Sequence, residues 1–184
     1  NVYIFLLHLN DKLISMEPTN YILSAEAAHQ KLSRMALELA ENIAPTTSSL
    51  ILIGIRKNGV VIATKIAALL ANYVSCSISI LEASLDKDVP SEITYSAPAN
   101  FTGAHIVLVD DVSNSGKTLL YALKPLLDFY PVSIQTLVLV ERMYRLFPVK
   151  PDYVGLSIST SLQDHIQVVV NGSEIEGVFV KTLA

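Results

Sequence analysis

Apolar residues along this chain change their period several times, and each change marks an expected element. Ala28, Leu32, Met35, Leu39 and Ile43 recur at helical steps, which gathers them on one face of a helix. Ser24 suits the cap of that helix and Glu26 its first turn. Pro45 and the polar run 46–49 end it. Leu50–Ile55 is unbroken apolar sequence, the pattern of a strand covered on both faces. Arg56-Lys-Asn-Gly59 reads as a loop. Val60 to about Asn72 reads as a helix with Val60, Ala63, Ile66, Ala67 and Leu70 inward. Ser75–Leu81 and His105–Val109 read as strands, and Thr118 to about Phe129 as a helix that Pro125 should kink or shorten. Further strands are expected at Ile134–Val140, Tyr153–Ser159, Ile166–Val170 and Val178–Val180, with an Asn171-Gly172 turn signal before the last.

Strands thus alternate with helices from residue 24 to about 140. This predicts an α/β fold whose mostly parallel sheet is covered on both faces through right-handed crossovers. Ligands in such sheets lie beyond the carboxyl ends of the strands. Two segments, Arg56–Gly59 and Asp110–Thr118, fall on that edge. The strand-rich tail 141–184 forms an add-on able to cover it. Residues 83–104, with Pro90, Pro98 and Gly103, make a long polar connection of the kind used as a lid, or one hiding a short hairpin.

Bulk properties narrow the functions. The 184 residues are 51% hydrophobic and 16% charged, which suits one compact domain. That domain is expected over 16–184, with 1–15 a preceding extension of unassigned role. The apolar stretch Val2–Leu9 is short and lacks a basic flank or a small-residue cleavage signal, so it does not read as a signal peptide. The longest apolar runs fall short of a membrane span. A formal net charge of −4 gives no general signal for nucleic acid, although a local basic patch stays possible. One cysteine, Cys76, and four scattered histidines exclude a disulfide scaffold and argue against a metal held by side chains alone.

The chemistry concentrates in Val107-Leu-Val-Asp-Asp-Val-Ser-Asn-Ser-Gly-Lys-Thr-Leu119. A buried strand runs into two acids, a loop of small polar residues and a helix start. Main-chain N–H groups at such a turn suit a phosphate. The acids Asp110 and Asp111, one step earlier, suit sugar hydroxyls. A ribose 5-phosphate carries both groups at that spacing. A Walker loop needs glycine five residues before Gly116, and Asp111 stands there.

The whole string resembles the phosphoribosyl-pyrophosphate (PRPP) signature of type I phosphoribosyltransferases. Leu137-Val-Leu-Val-Glu-Arg142, Leu146-Phe-Pro-Val-Lys-Pro-Asp-Tyr-Val-Gly155 and Ile158-Ser-Thr-Ser161 resemble the C-terminal half of the pyrimidine operon attenuator family, whose members are RNA-binding regulators and uracil phosphoribosyltransferases. Leu52-Ile-Gly-Ile-Arg-Lys-Asn-Gly59 resembles that family's pyrophosphate loop. The resemblance covers about residues 20–180 and implies the type I phosphoribosyltransferase fold with a small hood built from the chain's ends. It also implies a cytoplasmic, magnesium-dependent enzyme that forms a homodimer or higher homo-oligomer. Departures are local. Lys57-Asn58 replaces Thr-Arg, Met143-Tyr144 replaces Gly-His, Ser159 replaces proline, and Leu37 replaces a histidine of the opening helix.

The resemblance assigns expected roles. Asp110 and Asp111 are the catalytic pair, binding the ribose hydroxyls and facing the electron-poor ring. Ser113, Asn114, Ser115, Gly116, Lys117 and Thr118 hold PRPP through its 5-phosphate. Arg56, Lys57, Asn58 and Gly59 hold the pyrophosphate. Val112, Glu141, Arg142 and Ile158 are expected at the base. Magnesium is expected near Asp110 and Asp111 through ligand and water oxygens, and Lys87 is the cation to watch in the lid. Three functions follow as alternatives: transfer of ribose 5-phosphate to a base, uracil first; a nucleotide-sensing regulator bound to RNA; or a binding protein that has lost turnover.

Overall fold

The computed structural model describes residues 20–85, 93–97, 99–161 and 163–182. The extension 1–15, Lys87 and the middle of the expected lid lie outside the described residues. Strand β1 (Asn20–Ser24) leads into helix α1 (Ala25–Asn42), then β2 (Ser49–Ile55), α2 (Arg56–Leu70), β3 (Ser77–Ser84) and β4 (Thr94–Tyr95). The second half holds β5 (His105–Ser113), α3 (Lys117–Leu123), a 3-10 turn (Lys124–Phe129), β6 (Ser133–Arg142), β7 (Tyr153–Ile158), β8 (Asp164–Asn171) and β9 (Glu174–Thr182).

Six strands form the main sheet in the order β4-β3-β2-β5-β6-β7. All of its pairings are parallel except β3 with β4, so the long 83–104 connection does contain a hairpin. The unbroken apolar runs have the expected cause. Leu50 and Leu52 of β2 join one core cluster with α1 and α2, while Ile53 and Ile55 join the other with Leu119, Ala122 and Leu126. Successive side chains point to opposite faces, so both faces need apolar residues. Ser24 caps α1 as expected, accepting the Ala27 N–H at 3.0 Å. Pro125, which cannot donate to the preceding turn, lies where α3 gives way to the 3-10 turn.

A second sheet of three antiparallel strands, β1-β9-β8, joins the two ends of the described chain. This is the hood. Tyr21 stacks edge-on against Phe179 at 4.8 Å within it, and Lys65 of α2 pairs with Glu174 of β9 at 2.8 Å. Strand β1 was not expected. Five residues become a strand here only because β9 returns alongside them.

Three of the boundaries that move bear on the ligand edge. Helix α2 starts at Arg56 rather than after Gly59, so the expected loop is the helix's first turn. Strand β5 runs on through Ser113, because its ladder with β6 continues to the Ser113–Glu141 pair. The two acids therefore sit on the end of a strand and not in a loop. Strand β6 likewise extends through Arg142. Among the described residues no helix is long and apolar enough to cross a membrane.

Candidate active site

The carboxyl ends of β2 and β5 and the inner side of the hood enclose a cavity of about 660 Å³. That volume fits a nucleotide-sized ligand. Asp110 and Asp111 lie on its wall, with Val112, Asn114, Ser115, Lys117 and Thr118 following them in the chain, and Arg56 and Asn58 line it as well. A smaller recess of about 40 Å³ is wrapped by residues 112–119 next to Asp110. The two segments that sequence placed on one edge therefore do meet.

Each side of the cavity is fixed by local physics. Gly116 holds φ at +81°, a left-handed conformation that costs a residue with Cβ about 1–2 kcal/mol. The sharp turn this allows is backed from behind. The Leu146 and Phe147 N–H groups both donate to the Ser115 carbonyl at 3.1 Å, which pins that carbonyl away from the helix start. Helix α2 is brought in by an absence of side chain. A Cβ on Gly59 would lie 2.5 Å from the Val109 carbonyl, so only glycine lets the helix's first turn press against β5. That approach sets Asn58 Nδ2 at 2.8 Å from Asp111 Oδ2 and 3.2 Å from the Val168 carbonyl. One amide thereby ties the acid pair to the hood.

The two acids differ. Asp110 is buried, and its Oδ1 accepts the Asp111 N–H at 2.9 Å. Burial, reinforced by the charge of Asp111, pushes the Asp110 carboxyl well above the ordinary carboxylate range. Asp111 is half-buried and accepts its hydrogen bonds from Asn58 and from the Val112 N–H. Arg56 has a positive φ of 56° and a buried Nη2 without a hydrogen-bond partner. Arg56 also lines the cavity, so it brings a positive charge to this wall.

Not every expected site residue reaches the cavity. Lys57 is exposed and Gly59 is buried in the helix, and neither lines it. Ser113 is buried and borders only the small recess, where Gly116 also lies. The expected base-side group divides. Val112 lines the cavity, while Glu141, Arg142 and Ile158 stand behind it. Glu141 is buried, accepts the Ser157 hydroxyl at 3.0 Å and has Arg145 at 3.9 Å. The Ile158 carbonyl takes the Met143 N–H at 2.9 Å. The hood supplies residues that were missed: His165, Gln167 and Lys181 line the cavity. For His165 and Gln167 the signal lay in β8, where Ile166 and Val168 alternate with polar neighbours; Lys181 lies on β9. Which surface the polar side would face could not be read from that alternation.

Among the described residues no three His, Cys, Asp or Glu side chains converge on a point. Asp110 and Asp111 are the only acids on the cavity wall among those residues. This donor set fits a magnesium ion that takes most of its ligands from substrate and water.

Comparison with known proteins agrees with this geometry. The phosphoribosyl transferase domain family matches residues 19–172. The Bifunctional protein PyrR of Corynebacterium diphtheriae is 36% identical over 163 residues, covering 83% of this chain and 82% of the relative. That of Chloroflexus aurantiacus is 34% identical over 157 residues, covering 80% and 86%. Among solved structures, a hypoxanthine phosphoribosyltransferase of Trypanosoma cruzi superposes with a TM-score of 0.73 at 17% identity, covering 90% of this chain and 97% of that one. A hypoxanthine-guanine phosphoribosyltransferase of Bacillus anthracis gives 0.67 at 20%, covering 88% and 98%. At these identities the solved structures speak for the fold alone.

Proposed function

Since the chain belongs to the phosphoribosyl transferase family, with PyrR proteins among its relatives, we propose that it transfers ribose 5-phosphate from PRPP to a nucleobase, uracil first, and releases pyrophosphate. The observation that carries this reading is the single cavity shared by Asp110, Asp111, the 114–118 turn and Arg56. The turn and its recess take the 5-phosphate through aligned main-chain N–H groups and the hydroxyls of Ser115 and Thr118. The acid pair takes the 2- and 3-hydroxyls. Arg56, the cation that lines the cavity from α2, takes the pyrophosphate. Asn58 holds the Asp111 carboxylate toward the sugar.

In the transfer, the acceptor nitrogen bonds to ribose C1 as the C1–oxygen bond to pyrophosphate breaks. Pyrophosphate departs with the electron pair, and the acceptor's proton passes to solvent. Negative charge from the acid pair opposes the positive charge that builds on the ring, which lowers the barrier electrostatically. Asp110 and Asp111 would lie nearest a magnesium ion bound with PRPP, and the ion would offset the charge of the leaving pyrophosphate. The hood residues His165, Gln167 and Lys181 also line the cavity and limit water, which would otherwise compete as acceptor. An apolar groove lined by Leu120, Leu123, Leu127 and Phe147 supports the expected self-association.

The test is direct. With PRPP, magnesium and a panel of pyrimidine and purine bases, the protein should release pyrophosphate. Silence across the panel rejects the proposal, and so does undiminished release by an Asp110→Asn, Asp111→Asn double variant.

A further inference from the structure

Arg142 does not reach the cavity, yet it determines what the cavity presents. Its side chain is buried. Nη1 donates to Asn114 Oδ1 at 2.9 Å, Nη2 donates to the Ser161 carbonyl, and the guanidinium lies 5.7 Å from the centre of the Tyr144 ring. Asn114, in turn, lines the cavity beside Val112 and Ser115.

A guanidinium has donors only, so the oxygen of the Asn114 amide must face it. The NH2 arm then diverges from Arg142. The reversed amide would set donor against donor, with a buried guanidinium left short of a partner. Asn114 is neutral and cannot take a proton from the acceptor. From these contacts we infer that Asn114 is a specificity-determining residue whose NH2 group is turned into the cavity, with Arg142 as the positioning residue that keeps it there. The base edge beside the 114–118 turn must then carry a lone pair: a carbonyl oxygen or an unprotonated ring nitrogen. An edge bearing N–H or amino hydrogens is disfavoured.

The inference rests on the proposed function, because it needs the base in this cavity. The test separates the two. Wild type, Asn114→Asp, Arg142→Met and Arg142→Lys are titrated calorimetrically with uridine 5-monophosphate, inosine 5-monophosphate and ribose 5-phosphate. The readout is the affinity for the tighter nucleotide relative to ribose 5-phosphate, which cancels effects on the shared phosphate and sugar. Asn114→Asp keeps a partner for Arg142 but replaces the donors with acceptors, and should lower the ratio at least about tenfold. Arg142→Met releases the amide and should lower it about threefold. Arg142→Lys, which still donates to Oδ1, should restore it. An unchanged ratio in Asn114→Asp, with ribose 5-phosphate still bound, overturns this inference and leaves the proposed function standing. If wild type binds neither nucleotide nor ribose 5-phosphate, both fall. Asn114→Asp decides the matter even if Arg142→Met fails to fold.

Discussion

Replacing Asp110 by asparagine should make the protein more stable and less active at once. The unfolded carboxyl ionises near pH 3.9. In the folded chain its pKa is raised, first by burial and then by the adjacent Asp111. A raised folded pKa means that stability is full below about pH 4 and is lost as pH climbs through the folded value. Each unit of upward displacement removes about 1.4 kcal/mol above that value. Asparagine has the same shape, keeps an oxygen for the Asp111 N–H, and carries no charge to bury. Its added N–H group borders the cavity, where water can satisfy it. At pH 8 the variant should therefore melt above wild type, by about 2–4 °C for every kcal/mol recovered. At pH 4 the difference should shrink toward zero. PRPP turnover should fall about ten- to a hundredfold, since a hydrogen bond to a charged group contributes about 1.5–3 kcal/mol. Thermal scans at the two pH values, with pyrophosphate release alongside, check both halves. A variant that melts below wild type at pH 8, or shows the same offset at both pH values, refutes the reasoning about burial.

Three further perturbations address the other walls of the site. Arg56→Gly removes the guanidinium but tolerates the positive φ of 56°, so stability should change by less than about 1 kcal/mol while pyrophosphate inhibition weakens about tenfold or more; chemical denaturation and product inhibition read the two effects separately. Gly59→Ala puts a Cβ 2.5 Å from the Val109 carbonyl and should cost about 1–3 kcal/mol, seen as a lower denaturation midpoint with an unchanged slope. Asn58→Ala cuts the tie from Asp111 to the Val168 carbonyl and should raise the KM for PRPP about tenfold, with a smaller change in the denaturation midpoint.

The main sheet was legible because burial on both faces leaves little freedom in sequence. Leu50–Ile55 and Val107–Val109 must be apolar at every position, and they are. That the acid pair and the 114–118 turn would share one edge with Arg56–Gly59 was legible because both segments follow apolar strands of a parallel sheet. What escaped reading depends on other parts of the chain. Gly59 looked like loop punctuation, but its missing side chain serves a helix packed on β5. Arg142 and Glu141 looked like base contacts because they follow a strand on the ligand edge. The ladder to β7 instead carries them into the support behind the cavity, Glu141 opposite Ser157 and Arg142 opposite Ile158. His165, Gln167 and Lys181 reach the site through the pairing of β8 with β9. The order of residues along one strand does not encode that pairing.

The departures from the attenuator family fall unevenly on this structure, and their placement bears on function. Lys57 points away from the cavity, so the exchange at that position does not alter its wall. The exchange at Asn58 does, because that side chain now bridges Asp111 and the hood through a neutral amide. The cation facing the site from α2 is then Arg56 alone among the helix's first three residues, held in a strained backbone. Tyr144 lies against the guanidinium of Arg142, two residues along the chain from it, so this replacement acts on the clamp that orients Asn114. Apart from Leu37, exposed on α1, the changes in sequence fall on the segments proposed for pyrophosphate and base, while those proposed for the ribose and its phosphate remain. On the proposed reading separate elements grip the two halves of the substrate, so the acceptor side can change while the donor side keeps its chemistry. Acceptor choice is accordingly the property in which this chain should differ most from its PyrR relatives.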